Sequence, residues 1–211
     1  VDEAYTLLGD MDYNPVWGLQ NGELRNSRVA TMLRPEVIVS WSYRLSVSTT
    51  LNLMAHAIYS NEGVTSLAWF NAPTPLPDNY HYLPSYYTLP SDSKPVTDSW
   101  LRGDYRYTQI DWDGLYHTNA LQSDGRARYI VESRREDSSV GGFVASFSTK
   151  LKGVAIDYGV KLNYRHLHRY KVVDDLRGAS HISDLDYYMV DDATKDNGMA
   201  NDLRTPNRRV H

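Results

Sequence analysis

The chain contains two segments in which apolar and polar residues alternate, and this alternation constrains its fold more than any other feature. The first covers about residues 37–60, and the second covers about residues 140–170. Successive side chains of a β-strand point to opposite faces of a sheet, so the alternation predicts strands with one apolar and one polar face. Each segment is interrupted by a short break. We therefore predict two long β-hairpins, with Gly153 available for a positive φ at the second turn.

The two faces of these hairpins differ sharply in chemistry. The apolar face of the first hairpin carries Val37, Val39, Trp41, Tyr43, Leu45, Leu51, Leu53, Ala55, Ala57 and Tyr59. The apolar face of the second carries Phe143, Ala145, Phe147, Val154, Ile156, Tyr158, Val160, Leu162 and Tyr164. The opposite faces carry Arg44, His56, Asp157, Lys161 and Arg165. A dry core holds such groups only when they have partners, whereas a water-filled lumen tolerates them.

Three long stretches lack this periodicity and are expected to be loops: residues 1–30, 61–128 and 171–211. Structureless loops of such length are uncommon in compact domains. Short turns at one end of the strands and long loops at the other are typical of outer-membrane barrels, whose strands span about 9–11 residues. We therefore expect residues 1–211 to be part of one all-β, antiparallel transmembrane β-barrel domain.

Four spanning strands do not close a barrel, because the smallest barrels have about eight. The chain is therefore expected to be a piece of a larger protein. Its first residue, Val1, and the absence of a signal-peptide pattern agree with a fragment or a processed product. No apolar stretch is long enough to predict a transmembrane helix.

The composition and the motif content argue against several classes of function. The net charge of −4 argues against a nucleic-acid partner, and the absence of cysteine excludes disulfides and thiolate chemistry. No sequence motif of a nucleophile, a zinc protease or a phosphate-binding loop is present. The carboxylate pairs Glu132 with Asp137 and Asp111 with Asp113 are interpreted as solvated charges. We expect neither enzyme activity nor a cofactor.

Residues 14–29, NPVWGLQNGELRNSRV, resemble a segment of TonB-dependent receptors from Bacteroidetes-type bacteria. The resemblance continues, in the same order, through residues 67–73, 77–86, 109–116, 129–132 and 201–208. It implies a 22-stranded outer-membrane barrel in contact with lipid, plugged by an N-terminal domain that engages the TonB complex. Neither the plug domain nor a TonB box is recognisable, so the chain resembles a mid-barrel fragment. The implied function is uptake of an unidentified nutrient across the bacterial outer membrane.

Two other hypotheses remain open. A secreted or surface β-sandwich module that binds glycans would pack both hairpins around one dry core. A structural barrel protein would have the same strands without a transport role.

Aromatic residues in the predicted loops are candidates for a ligand platform: Trp69, Tyr80, Tyr82, Tyr86, Tyr87 and Trp100. Aromatic rings often anchor ligands at binding surfaces. The alternative is that these rings pack the long loop onto itself. The sequence leaves both interpretations open.

Three short motifs suggest other chemistry but favour simpler explanations. His166 and His168 share a strand face, which fits a basic girdle at the lipid headgroups better than a metal site with no third ligand. Residues 192–203 superficially resemble a calcium loop, but the glycine falls at position 7 instead of 6 and Leu203 stands where the final glutamate belongs. Arg102-Gly103-Asp104 is an adhesion-like tripeptide that recurs by chance. We predict no metal site.

Overall fold

A computed structural model describes residues 2–182 and 209–210 of the chain. The strands are β1 (Trp17–Gln20), β2 (Glu23–Asn26), β3 (Ala30–Leu33), β4 (Glu36–Arg44), β5 (Thr49–Trp69), β6 (Ile110–Asp111), β7 (Tyr129–Leu151), β8 (Val154–Asp175) and β9 (Arg209–Val210). The helices are α1 (Asp2–Leu8), α2 (Pro90–Leu101), α3 (Tyr105–Thr108) and α4 (Trp112–Ala120), and 3₁₀ turns cover Tyr80–Tyr82 and Pro84–Tyr86. Strands account for 50% of the described residues and helices for 21%. The predicted predominance of antiparallel β-sheet is confirmed.

The chain divides into two compact units. The sheet unit comprises residues 30–63 and 134–170. Of the described residues, the core unit comprises 2–29, 64–133, 171–182 and 209–210. None of the helices in the described ranges is long and apolar enough to cross a membrane.

In the sheet unit, both predicted hairpins are present and lie in one sheet. Strand β4 pairs with β5, and the hydrogen-bonded order continues from β5 to β7 and β8. The register places Trp41 opposite Leu53 and Tyr43 opposite Leu51. Directly paired residues of antiparallel strands share a face, so the predicted apolar residues of this hairpin lie together.

The turn between β7 and β8 consists of Lys152 and Gly153, with φ values of 45° and 86°. Two successive positive φ values match the tight turns that suit the twist of paired strands. The predicted role of Gly153 is confirmed. The other turn lies beside it, because the Lys150 N–H donates a hydrogen bond of 2.8 Å to the Ser48 carbonyl.

The strands extend well beyond the predicted hairpins of about residues 37–60 and 140–170. Strand β5 runs to Trp69, β7 begins at Tyr129 and β8 ends at Asp175. The first five residues of β7 are all buried. Residues that are buried on both faces show no alternation, so the periodic signal ends before the strand does.

The expected loops at residues 1–30, 61–128 and 171–211 also differ from the structure, which places helices and short strands in the described parts. Turn-forming residues start these helices. Pro90 occupies the first turn of α2, and the Asp104 and Asp111 side chains cap α3 and α4. Residues that signal loops in sequence therefore serve here as helix starts.

Buried apolar residues of the core unit form three clusters. One surrounds Ile110 and Trp112, the second contains Ile130 and Val173, and the third surrounds Trp100. Asn119, 1% exposed, connects α4 by hydrogen bonds to the start of β7 and to the residues that follow β8. Its Nδ2 donates to the carbonyls of Tyr129 and Leu176, and its Oδ1 accepts from the Arg128 and Tyr129 N–H groups.

A three-stranded sheet of order β2-β1-β6 borders the first of these clusters. Strands β1 and β6 run parallel, with Gly18 opposite Ile110. A Cβ at Gly18 would lie 1.9 Å from the Ile110 carbonyl oxygen, so only glycine permits this approach. This parallel pairing connects two segments that are far apart in sequence.

We expect Gly18→Ala to lower the free energy of unfolding by about 1–3 kcal/mol, because backbone atoms must move to relieve the overlap. Urea titration of the full chain in detergent, followed by tryptophan fluorescence, measures the change. The control is Gly141→Ala in β7, where an added Cβ has no neighbour within 4 Å. Equal stability of the two variants would contradict the close packing of β1 against β6.

Candidate functional site

The sheet unit presents an apolar face to its surroundings. Every residue of β4 is exposed, as are the residues of β8 from Val154 to Leu167. Val160 is 61% exposed and Leu162 is 63% exposed. The rings of Phe147 and Tyr158 stack with centroids 5.2 Å apart, so these residues of β7 and β8 lie on the same face. Soluble monomers rarely expose contiguous apolar surfaces of this kind.

The opposite face of the same sheet is polar. A Cβ at Gly142 would approach both the His56 ring, at 2.1 Å, and the Asn163 amide oxygen, at 2.9 Å. His56 and Asn163 therefore lie on one side of β7. Alternation along β8 places Asp157, Lys161 and Arg165 on that side as well.

Arg44 belongs to this face too. The register pairs it with Thr50 and pairs Ile38 with His56, so Arg44 and His56 share a side of the β4–β5 pair. The five lumen-facing candidates thus share the polar face of the sheet unit. Their contact with a lumen stays a prediction.

A cleft of about 310 Å³ opens in the core unit. Its walls are formed by prolines and tyrosines, with two charged residues among them. The lining residues are Pro73, Thr74, Pro75, Pro77, Tyr82, Tyr87, Val96, Arg106, Tyr107, Gln109, Asp111, Leu115 and Tyr129. Helices α2, α3 and α4 each contribute at least one of them.

Two tyrosines hold the proline-rich wall of the cleft. The Tyr82 hydroxyl donates to the Thr74 carbonyl at 2.8 Å, and the Tyr129 hydroxyl donates to the Pro73 carbonyl at 2.9 Å. Burial raises the pKa of the Tyr82 phenol, and the neighbouring Tyr87 adds to the rise. Burial likewise raises the pKa of Tyr129, with a further contribution from Tyr82. Both hydroxyls therefore keep their protons, and their hydrogen bonds persist, at neutral pH.

The six residues of the predicted aromatic platform lie in different environments. Trp100 is fully buried and donates its Nε1–H to the Tyr82 carbonyl at 3.1 Å, and Trp69 packs against the Trp112 cluster. These two rings follow the alternative interpretation, in which aromatics pack the loop. Tyr82 and Tyr87 line the cleft.

Tyr80 and Tyr86 are exposed and lie beside the cleft-lining Tyr87. Tyr80 meets Tyr86 edge to face at 5.7 Å, and Tyr86 meets Tyr87 in the same way at 5.6 Å. The sequence did not single out Gln109 or Tyr107. Gln109 begins the segment 109–116 that resembles TonB-dependent receptors, but the resemblance assigns it no role, and only the folded chain brings Gln109 and Tyr107 to the cleft.

The residues of the other short motifs make local structural contacts. Asp104 caps α3 by accepting from the Arg106 N–H at 3.1 Å, and Gly103 forms the preceding turn with φ of 64°. The ring of His168 lies 5.0 Å from that of Tyr170. No group of three or more His, Cys, Asp or Glu residues in residues 2–182 is arranged to hold a metal ion. The calcium-like residues 192–203 lie outside the described residues.

The four carboxylates considered for catalysis all have partners. Glu132 accepts from the Lys171 ammonium at 3.1 Å, and Asp137 accepts from the Tyr170 hydroxyl at 3.1 Å. Asp111 caps α4, while Asp113 accepts from the Asn21 N–H at 3.1 Å. The absence of enzyme activity stays a prediction.

A buried arginine connects several elements of the core unit. The Arg177 guanidinium, 1% exposed, and that of Arg25 lie over the Trp112 ring at 4.7 and 4.8 Å. Asp175 Oδ2 accepts from both, at 2.9 Å from Arg177 and 2.7 Å from Arg25. Gln20 Oε1 accepts from both arginines as well. Strand β8, the β1–β2 hairpin and α4 are thereby joined through one network.

The charges of this network perturb each other. Burial alone would raise the pKa of Asp175, but hydrogen bonds from the Arg177 backbone and guanidinium outweigh it and hold that pKa below its usual range. Burial lowers the pKa of Arg177, and its hydrogen bond to Asp175 opposes that change. An arginine begins from so high a pKa that Arg177 stays charged at neutral pH.

No family model matches the chain, and no curated protein matches it significantly. The likeness to TonB-dependent receptors therefore rests on the sequence segments quoted above.

The lowered pKa of Asp175 predicts an acid-dependent contribution to stability. As the pH falls, the unfolded chain takes up the proton first, so this contribution is present above about pH 4 and is lost as the pH falls through the folded pKa. The loss of unfolding free energy in Asp175→Asn should therefore be largest near pH 7 and shrink below about pH 4. Urea titrations at several pH values measure it, with exposed Asp12→Asn as the control. A difference that is constant with pH would contradict a paired, ionised Asp175.

Proposed function

We propose that this chain is a segment of a TonB-dependent transporter in a bacterial outer membrane. In this proposal, the strands of the sheet unit cross the membrane as part of a larger β-barrel. The observation that carries it is the exposed apolar face shared by β4, β5, β7 and β8. Lipid chains are the partner that such a face fits, because transmembrane strands alternate apolar residues outward with polar residues inward.

The length of the apolar face fits the thickness of an outer membrane. On β8 it runs over residues 154–164. At about 3.3 Å per residue this segment is about 33 Å long, and a tilt of about 45° reduces its height to about 23 Å. The apolar band of outer-membrane barrels is about 25 Å tall. One strand of this unit therefore has the length needed to cross.

The polar face supports the same proposal. Arg44, His56, Asp157, Lys161 and Arg165 share it, and a barrel interior filled with water or a plug domain solvates such groups. Both short turns of the sheet unit lie together at one end, as the Ser48–Lys150 hydrogen bond requires. Short turns at one end are typical of the periplasmic side of outer-membrane barrels.

Nutrient uptake is the function that the sequence resemblance adds to this architecture. The resemblance implies a plug domain that engages the TonB complex. The sequence of the complete gene would show whether such a domain is encoded. A barrel without a plug would favour the purely structural role.

The second candidate is the glycan-binding β-sandwich. This hypothesis predicts that the two hairpins face each other across a dry core. The strands instead lie side by side in one sheet, in the order β4, β5, β7 and β8. This arrangement favours the barrel.

We expect Val160→Arg to weaken insertion into phospholipid vesicles by about 2–4 kcal/mol, because it places a charge at the middle of the apolar face. The adjacent Lys161→Ala should have a far smaller effect, since Lys161 lies on the polar face. Refolding from urea into vesicles, followed by flotation of the vesicle-bound chain, measures both.

The two substitutions share a strand and differ by one position, so a general folding defect would affect both. Equal insertion of the Val160→Arg and Lys161→Ala variants would contradict a lipid-facing role for the apolar face.

A further inference from the structure

A proline-rich segment of the core unit packs its backbone against two tyrosines of the cleft. Residues 73–77, PTPLP, carry a proline at every second position. Each proline fixes its own φ and pushes the preceding residue towards extended or polyproline II geometry, and residues 73–76 form neither helix nor strand. The Tyr129 hydroxyl donates to the Pro73 carbonyl, and the Tyr82 hydroxyl donates to the Thr74 carbonyl. In this cleft, tyrosine hydroxyls therefore already hold an extended proline-rich backbone.

Proline-rich backbones suit tyrosine-lined surfaces for two physical reasons. A polyproline II segment has no internal hydrogen bonds, so its carbonyl groups are free to accept from a protein. The segment is also extended before it binds, so little conformational entropy is lost when its rings pack against an aromatic groove. The contacts of Tyr82 and Tyr129 therefore show, within the chain itself, the chemistry that would bind a second such segment.

The cleft also contains a tyrosine whose hydroxyl the chain leaves unused. Tyr87 lines the cleft and is half-buried. Among the described residues its hydroxyl has no hydrogen-bond partner, and its oxygen is accessible to solvent. Tyr87 contributes to the raised pKa of the Tyr82 phenol, so the two phenol groups lie near each other. Since the Tyr82 hydroxyl lies on the proline-rich wall, the Tyr87 hydroxyl lies close to that wall and is free to donate to a ligand carbonyl.

The other lining residues suit a short peptide. Tyr107 is 45% exposed and adds a second accessible ring. Arg106 and Asp111 are exposed lining residues whose opposite charges complement the carboxylate and ammonium ends of a peptide. The ion pair of Arg106 with Asp104 is long, at 3.4 Å, and solvent screens it, so the guanidinium remains available. The volume of about 310 Å³ is at the lower end for small-molecule sites and fits a few residues at most.

We propose that this cleft binds a short proline-rich peptide in the polyproline II conformation. A proline ring of the peptide packs against the accessible tyrosine rings, and one of its carbonyl groups accepts from the Tyr87 hydroxyl. The ligand thereby repeats the contacts that residues 73–77 make with Tyr82 and Tyr129. The site lies wholly within the core unit, and it goes beyond the proposed transport role without depending on it.

The first test compares two tripeptides with free ends, triproline and trialanine. Both have the same charges at their ends, but only triproline has rings and is extended before binding. Calorimetric titration into the full chain in detergent, with detergent blanks, gives both affinities. We expect triproline to bind about tenfold more tightly than trialanine, because its rings contact the tyrosines and it loses less conformational entropy.

Variants then test the individual contacts. Tyr87→Phe removes only the hydroxyl and should weaken triproline binding about fivefold, the effect of one typical hydrogen bond. Tyr116→Phe makes the same chemical change at an exposed position of the core unit that does not line the cleft, and it should leave the affinity unchanged. Tyr107→Ala removes an accessible ring and should weaken triproline binding more than trialanine binding. A general folding defect would weaken both tripeptides alike.

Three results would overturn the proposal: equal affinities of triproline and trialanine for the unmodified chain, equal triproline affinities of the Tyr87→Phe and Tyr116→Phe variants, or binding of maltotriose but neither tripeptide. These titrations are made in detergent and do not involve vesicle insertion. Failure of the binding proposal is therefore distinguishable from failure of the membrane proposal.

Discussion

An apolar sheet face that the described chain leaves exposed is the constraint on which the interpretation of this protein depends. Burial of apolar surface contributes about 25 cal/mol per Å², so a four-strand face of valine, leucine and aromatic residues favours any environment that removes it from water. Lipid does so without a second protein layer. Both hairpins contribute to this apolar face. The first contributes the paired Trp41 and Leu53, and the second contributes the stacked Phe147 and Tyr158.

The core unit is stabilised in a different way, by polar groups that are buried with their partners. Arg177 joins α4, the β1–β2 hairpin and the end of β8 through Trp112, Gln20 and Asp175. Breaking a buried ion pair by removing one partner is strongly destabilising, because the remaining charge stays buried.

The sequence predicted those parts of the structure that depend on neighbouring residues. Alternation identified both hairpins and the apolar residues of the first, and Gly153 marked the turn before β8. The helices between Pro90 and Ala120 were missed, because proline and aspartate signal loops and helix starts equally well. Contacts between segments distant in sequence determine the Gly18–Ile110 pairing, the burial of Arg177 and the cleft that Gln109 lines. Local periodicity carries no information about such contacts.

The most direct test of the membrane proposal uses the absence of cysteine from the chain. Single Leu162→Cys and Lys161→Cys variants, labelled with an environment-sensitive fluorophore and refolded into phospholipid vesicles, report on the two faces of β8. A lipid-facing strand predicts that spin-labelled lipid quenches the label at position 162 and that aqueous iodide quenches the label at position 161. Quenching of both labels by iodide, with no effect of the spin-labelled lipid on either, would contradict the proposal.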